Sequence, residues 1–433
     1  MFYASVCLLA FAFVQKRLST TSITGPMLFT ALGLLASSDG LGIIEVDDGD
    51  VVDVVDVLFQ GTLSLLLFTD AAALHFTSWR RDAAVPGRLL GMGLPLTIGL
   101  TAAFAAVLLT DLSIWEAAII GAITAPTDAA LGQAVVSNDR VPDRIRLGLD
   151  VESGLNDGIS LPFVLIFIGL AEKEEGTGPL VTFVREIGVA VGVGLVVGVV
   201  IGGVLVKAVQ ARWMGTGWSN IAVVATAIIA FIAANALGGS GLLAVFVAGL
   251  AYGHTLKGRI ERTDILAENL GSGLVQVSFL AFGALVLPRA LEDVTWQIVV
   301  VSLLALTVAR MAAVAMATIG SGLAWPTVTY LGWFGPRGLA TVVFAALVVR
   351  EAELAGINTI IAVAAITVGI SVVAHGATAY PGSNAYADWQ ERHRDAASVE
   401  QEPLHAPFRP RGRHSPQLDD HAPGDRVENP GSG

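Results

Sequence analysis

Charge is scarce in this chain. Asp, Glu, Lys and Arg together make up 14% of its 433 residues, against about 25% in an ordinary soluble domain. Cysteine is nearly absent. Cys7 stands alone, which excludes a disulfide framework within one chain. Lys and Arg gather into no patch of the kind that nucleic acid requires. A phosphate-cradling loop of the Walker type is missing as well, so any transport work must draw on a gradient. There is no TVGYG-like run from which a ring of filter carbonyls could be built.

The chain is instead rich in hydrocarbon. It is 54% hydrophobic, with a mean hydropathy of +0.69. A window of about 20 residues gives about thirteen spans, near 2–15, 26–38, 57–77, 88–110, 114–136, 148–171, 181–206, 219–237, 241–255, 272–288, 295–318, 323–349 and 356–380. The runs are too long for barrel strands and have no dyad alternation. The fold class is therefore an all-α polytopic membrane protein. Its 48 glycines suit close helix packing in lipid. The apolar run Phe2–Val14 precedes Lys16 and Arg17, the reverse of a cleavable leader, and is read as a retained first helix.

Basic residues cluster in alternate loops: Lys16 and Arg17; Arg80, Arg81 and Arg88; Arg140, Arg144 and Arg146; Lys207 and Arg212; Lys257, Arg259 and Arg262. Acids occupy the other loops, as in EVDDGDVVDVVD (45–56) and EKEE (172–175). The positive-inside rule then puts the N-terminus outside and the C-terminus in the cytoplasm. After Tyr380 the composition turns to Pro, Arg, His, Asp and Gly. The expected organisation is a membrane domain over 1–380 and a disordered cytoplasmic tail over 381–433.

Ionisable residues inside spans are costly and each needs a reason. Asp70, Asp128, Glu152, Asp157, Arg310 and Arg337 stand out. In LDVESGLNDGIS (149–160), helical spacing puts Ser153, Asp157 and Ser160 on one stripe and Glu152 and Asn156 on the next. The first stripe offers hard oxygen ligands for a small cation. The second carries a carboxylate in need of a cationic partner, and Arg310 is the natural candidate. Helix–helix adhesion is the plain alternative for all of them.

In AIIGAITAPTDAALGQAVV (117–136), Pro126 removes a backbone donor mid-span, and Thr127 and Asp128 follow at once. In AWPTVTYLGWFGPRGLATVVF (324–344), Gly335 and Pro336 interrupt a second span, and Arg337 follows. Two interrupted spans, one in each half, point to an inverted-repeat transporter whose ion site lies at the breaks. Arg337 could compensate the negative end of a half-helix. Asp70 could guard a cytoplasmic funnel or snorkel to the interface. His75 and His254 fall at span ends, and His375 reads as a hydrogen-bonded structural histidine.

APTDAALGQAVV, VESGLNDGIS, GWFGPRGLATVVF and a late AHGATA together resemble the monovalent cation–proton antiporters of the NhaP and sodium–hydrogen-exchanger branch, over roughly 1–380. The resemblance implies the antiporter fold, with thirteen helices, a dimerisation domain and a mobile core with two crossing broken helices. It implies that Asp157 carries the ion or the proton. Thr127, Asp128 and Ser153 match positions that help coordinate the cation, and Asn156 matches the asparagine of the Asn-Asp pair, which goes with electroneutral exchange. Glu152 and Arg310 match a structural ion pair, and Arg337 matches the arginine of the second broken helix. The family often reads Thr-Asp-Pro, whereas here Pro126 comes before Asp128.

The expected function is exchange of Na+, K+ or Li+ for H+, one for one, at a cell (inner) membrane by a homodimer with no cofactor. Sodium is the first expectation and potassium the alternative. Desolvation favours the protonated form of a carboxylate and nearby positive charge the ionised form, so one buried aspartate can hold a proton or a cation in turn. A cation channel and a membrane scaffold are the rivals. A scaffold leaves both interrupted spans unexplained, and neither rival couples flux to a pH gradient.

Overall fold

A computed structural model describes residues 2–18, 21–44, 48–73, 84–172, 179–256 and 265–393. Every regular element among them is helical. In chain order these are α1 (Phe2–Leu18), α2 (Gly25–Ala36), α3 (Asp48–Ala73), α4 (Ala84–Leu108), α5 (Ile114–Thr124), α6 (Ala129–Val136), α7 (Asp143–Ala171) and α8 (Pro179–Gln210). Then follow α9 (Thr216–Ala236), α10 (Gly241–Leu256), α11 (265–292), α12 (Trp296–Ala317), α13 (Trp325–Trp333), α14 (Leu339–Glu351) and α15 (Ile357–Arg392). Each expected span falls on one of these helices. At 114–136 and 323–349 a pair of short helices shares the span.

Among the described residues, 7 helices are long and apolar enough to cross a membrane unaided. The interrupted spans cannot count by length, because each is split into halves too short to cross alone. Large apolar side chains such as Phe13, Val199, Val204 and Ile232 point outward, as a lipid-facing surface requires.

Local chemistry sets the helix ends. Thr24 caps α2, accepting from Met27 N. Ser113 and Glu116 form a reciprocal capping box at α5, satisfying two orphan N–H groups. Glu116 Oε1 also accepts from Gly356 N at 2.7 Å, so one carboxylate pins the start of α5 to the start of α15. Packing is backbone to backbone in places. A Cβ on Gly198 of α8 would stand 2.4 Å from Ala248 O of α10, and one on Gly253 of α10 would stand 2.2 Å from Ala72 O of α3. Only glycine permits these approaches, which gain dispersion where lipid offers no hydrophobic drive.

The last helix departs from the expected boundary at Tyr380. It runs through Pro381 to Arg392. Pro381 costs a backbone hydrogen bond, but the following turn is anchored. Tyr386 stacks on Tyr330 of α13 with ring centroids 4.1 Å apart, and its hydroxyl lies 2.9 Å from Thr327 Oγ1. Asn138, between α6 and α7, donates to Ser383 Oγ at 3.0 Å, and Arg140 pairs with Asp388 and Glu391. The rest of the expected tail, 394–433, lies outside the described residues. So do His75, Arg80, Arg81, Lys257, Arg259, Arg262 and residues 45–47 and 173–175 of the acidic loops.

Candidate functional site

The two interruptions meet. After α5 the chain is extended through Pro126 to Asp128, and Asp128 N donates to Pro336 O at 2.7 Å. The Asp128 carboxylate then serves two helices. Oδ1 accepts from Ala130 N at 2.7 Å and Leu131 N at 3.3 Å, capping α6. Oδ2 accepts from Leu339 N at 3.0 Å, the first residue of α14. A carboxylate at a helix N-terminus meets both its unpaired N–H groups and the positive end of its dipole, and here one side chain does so for both half-helices. The approach requires glycine at position 338, where a Cβ would fall 1.8 Å from Asp128 Oδ2.

Arg337 stands near the opposite kind of end. Its side chain is fully buried, and Nη1 donates to Gly335 O at 2.7 Å, just beyond the C-terminus of α13. Its backbone N donates to Ser371 Oγ at 2.6 Å. Ser371 in turn lies 3.0 Å from His375 Nδ1, which ties the second interruption to α15.

The 29-residue α7 supplies the remaining groups. Thr127 Oγ1, in the first interruption, lies 3.0 Å from Ser153 Oγ. Asn156 Nδ2 donates to the same Thr127 Oγ1 at 2.6 Å. Two hydroxyls and an amide thus converge where the extended link crosses α7. Asp157 is half-buried and one turn beyond Ser153, on the same face. Ser160, the third member of that stripe, is fully buried.

The structure brings Glu152 and Arg310 together as a bidentate pair, with Nη2 to Oε2 at 2.8 Å and a second contact from Nη1 to Oε1. Both side chains are 2% exposed. A π turn, Ala305–Ala309, immediately precedes Arg310, and Nη2 also donates to Leu331 O at 3.3 Å. The guanidinium needs the space at Gly335, where a Cβ would stand 2.6 Å from Arg310 Nε. The pair therefore links α7, α12 and α13.

Asp70 is half-buried toward the end of α3 and enters none of these hydrogen bonds. The geometry adds residues that sequence reasoning missed. Gly338 makes room for the Asp128 carboxylate, and Gly335, singled out only as part of the interruption, makes room for the Arg310 guanidinium; the signal for Gly338 was the second glycine flanking Pro336 and Arg337. Ser371 was not singled out at all. Asp150, only 7% exposed, lies three residues before Ser153 and seven before Asp157, a spacing that keeps one helix face. It lines a small cavity with Ser153, Val136, Gly132, Phe334 and Pro336.

Comparison with known proteins agrees with this architecture. The structure of the sodium proton antiporter MjNhaP1 from Methanocaldococcus jannaschii superposes with a TM-score of 0.72 at 22% identity, covering 89% of this chain and 98% of that one. The K(+)/H(+) antiporter NhaP2 of Shewanella oneidensis is 26% identical over 366 residues, 81% of this chain and 61% of that protein. The Na(+)/H(+) antiporter ApNhaP of Aphanothece halophytica is 24% identical over 71% of this chain and 60% of its own length. The chain thus spans about three-fifths of the curated relatives it matches. The profile of the family described as sodium/hydrogen exchanger, transmembrane, matches residues 3–381, a range that takes in both interruptions, the Asn-Asp helix and the buried ion pair. With crossing broken helices at its centre and that match across nearly all of its helices, the chain belongs to the sodium/hydrogen exchanger family.

Proposed function

We propose that this chain is a secondary transporter exchanging a monovalent cation for a proton at Asp157. The observation that carries this reading is the convergence of Thr127 Oγ1, Ser153 Oγ and the Asn156 amide beside the face of α7 that bears Asp157. Hydroxyl and carboxylate oxygens are hard ligands suited to a hard cation. Asp157 supplies the single negative charge that either ion neutralises, so occupancy by one excludes the other. One charge for one charge makes the exchange electroneutral. Asn156 keeps a second charge out of the pair and orients Thr127.

Asp128 contributes its charge through the two half-helices it caps, and Arg337 offsets the end of α13. Glu152 and Arg310 hold the helices that carry the ligands. Asp70 lies on the approach from the cytoplasm. Alternating access moves a core containing both broken helices against the remaining, dimer-forming helices. The orientation is N-terminus outside, in the cell membrane, as a homodimer. Sodium is the first expected cation. Potassium is the second reading, favoured by the likeness to the K(+)/H(+) antiporter NhaP2 of Shewanella oneidensis.

The test uses the protein in sealed vesicles with an imposed acid interior and an entrapped pH dye. Addition of sodium or potassium should dequench the dye for wild type and not for Asp157→Asn. A well-folded wild type that answers to no cation would overturn the reading. So would an Asp157→Asn variant that exchanges at the wild-type rate.

A further inference from the structure

We propose that Ser371 and His375 of α15 are positioning residues for the cation: they anchor a chain of hydrogen bonds that crosses both interruptions and sets Thr127 and Asn156 in place. The inference rests on the assignment of Asp157 as the exchange site. A peptide group is planar, and in its trans form the C=O and N–H point in opposite directions. The unit joining Pro336 to Arg337 uses both ends. Its C=O accepts from Asp128 N at 2.7 Å, and its N–H donates to Ser371 Oγ at 2.6 Å. The unit joining Thr127 to Asp128 continues the chain toward α7. Its N–H is the donor to Pro336 O, and its C=O accepts from Asn156 Nδ2 at 3.4 Å. Two peptide planes thus stand in series between Asn156 and Ser371, with every bond pointing the same way.

The far end of the chain is fixed by His375. Ser371 Oγ lies 3.0 Å from His375 Nδ1, and the imidazole packs on Trp333 at the end of α13, with ring centroids 5.2 Å apart. Arg337 and Ser371 are fully buried and His375 is 1% exposed, so solvent replaces none of these bonds. Hydrogen bonds in such a series polarise one another, and an unmade one is costly away from water. Without the Ser371 hydroxyl, Arg337 N is a buried donor with no acceptor. The plane that carries it must turn to find one, and Pro336 O turns with it. The displacement passes through Asp128 N to Thr127 and Asn156, whose side chains meet at the cation site. A site with looser oxygens binds its preferred ion less tightly and discriminates less between ions of different radius. Ser371 and His375 touch no ion themselves and act through the two planes.

The experiment measures exchange in vesicles against sodium and potassium for wild type, Ser371→Ala, Ser371→Thr, His375→Leu and Thr367→Val. In Ser371→Ala the KM of the preferred cation should rise about tenfold, the usual effect of removing a group that orients an ion's ligands. The ratio of the two KM values should move toward one, and kcat should stay within about twofold. Ser371→Thr keeps the hydroxyl and should restore most of the affinity. His375→Leu keeps the acceptor for Arg337 N and loses only its anchor, so it should shift KM in the same direction by less. Thr367 is the control. It lies one turn before Ser371 on α15 and donates to Ser302 Oγ at 2.9 Å, a buried bond that touches neither interruption, so Thr367→Val should leave KM unchanged. A merely structural role would lower the exchange rate of Ser371→Ala and Thr367→Val alike with KM and ion preference unmoved, and that result overturns the proposal. So does a Ser371→Thr variant as weak as Ser371→Ala. If Ser371→Ala does not fold, His375→Leu decides, and an unchanged KM there refutes the chain. Wild type that exchanges while Asp157→Asn is silent keeps the main reading whatever Ser371 does. Silent wild type removes both.

Discussion

Replacement of Glu152 by Leu leaves the Arg310 guanidinium buried without its carboxylate. The pair is 2% exposed on both sides, so water cannot take over the lost bonds. Breaking a buried pair by removing one partner costs about 3–5 kcal/mol, because the surviving charge stays desolvated. Arg310→Met should cost a similar amount, with Glu152 now the orphan and the contact to Leu331 O also gone. The double variant Glu152→Leu/Arg310→Met removes both desolvation penalties at once. Apolar replacement of a whole buried pair is often neutral or stabilising, so the double variant should be more stable than either single one. Thermal unfolding of the purified protein, followed by loss of the monodisperse chromatographic peak, measures the order directly. A double variant that melts below both single ones would show that the two charges contribute independently, and the reasoning would fail. Exchange activity, read in the same vesicles, should also return in part in the double variant, since the pair is assigned to architecture and not to the ion.

Two more outcomes follow from the geometry. Gly338→Ala places a Cβ in the position of the Asp128 carboxylate and should uncap α6 and α14 together, at about 0.5–2 kcal/mol for each cap; exchange should fall with the melting temperature, whereas Gly188→Ala on α8, where nothing stands within 4 Å, should change neither. A stop codon after Tyr380 deletes the turn that buries Tyr386 and Ala387 and should lower thermal stability by several kcal/mol, while a stop after His393 should leave the melting curve in place.

Much of the centre was legible from residue type alone. Asp128 and Asp157 announce themselves as acids in apolar runs, where each costs enough to require a purpose. Pro126 and Pro336 mark the interruptions because a missing N–H is a local property of the chain. Glu152 and Arg310 could be matched by charge, since the interior tolerates neither alone. The contact between Asp128 and Leu339 was not legible, because its partners are 211 residues apart and nothing local betrays a cap on another helix. The end of α15 was misplaced for a different reason. Pro381 and the polar composition after it outweighed the spacing of Ser383, Tyr386, Ala387 and Gln390, which are buried on one face at the period of a helix. Asp150 was passed over because it stands at the very start of the expected span 148–171, next to the basic loop that carries Arg140, Arg144 and Arg146.

The carboxylate shared between α6 and α14 also bears on how the molecule is made. A chain is synthesised from its N-terminus at about 5–20 residues per second. Asp128 therefore enters the bilayer some 10–40 s before Leu339 exists to meet it, by that rate over the 211 residues between them. During that interval the first interruption has its own cap on α6 and the contacts of Thr127 with Ser153 and Asn156 of α7, but Asp128 N has no Pro336 O to bond. Biogenesis must shelter an extended, polar stretch of backbone at membrane depth until the second half arrives. The centre of the molecule is thus completed late, and a nascent chain that stalls before α14 is left without the second helix that the Asp128 carboxylate caps.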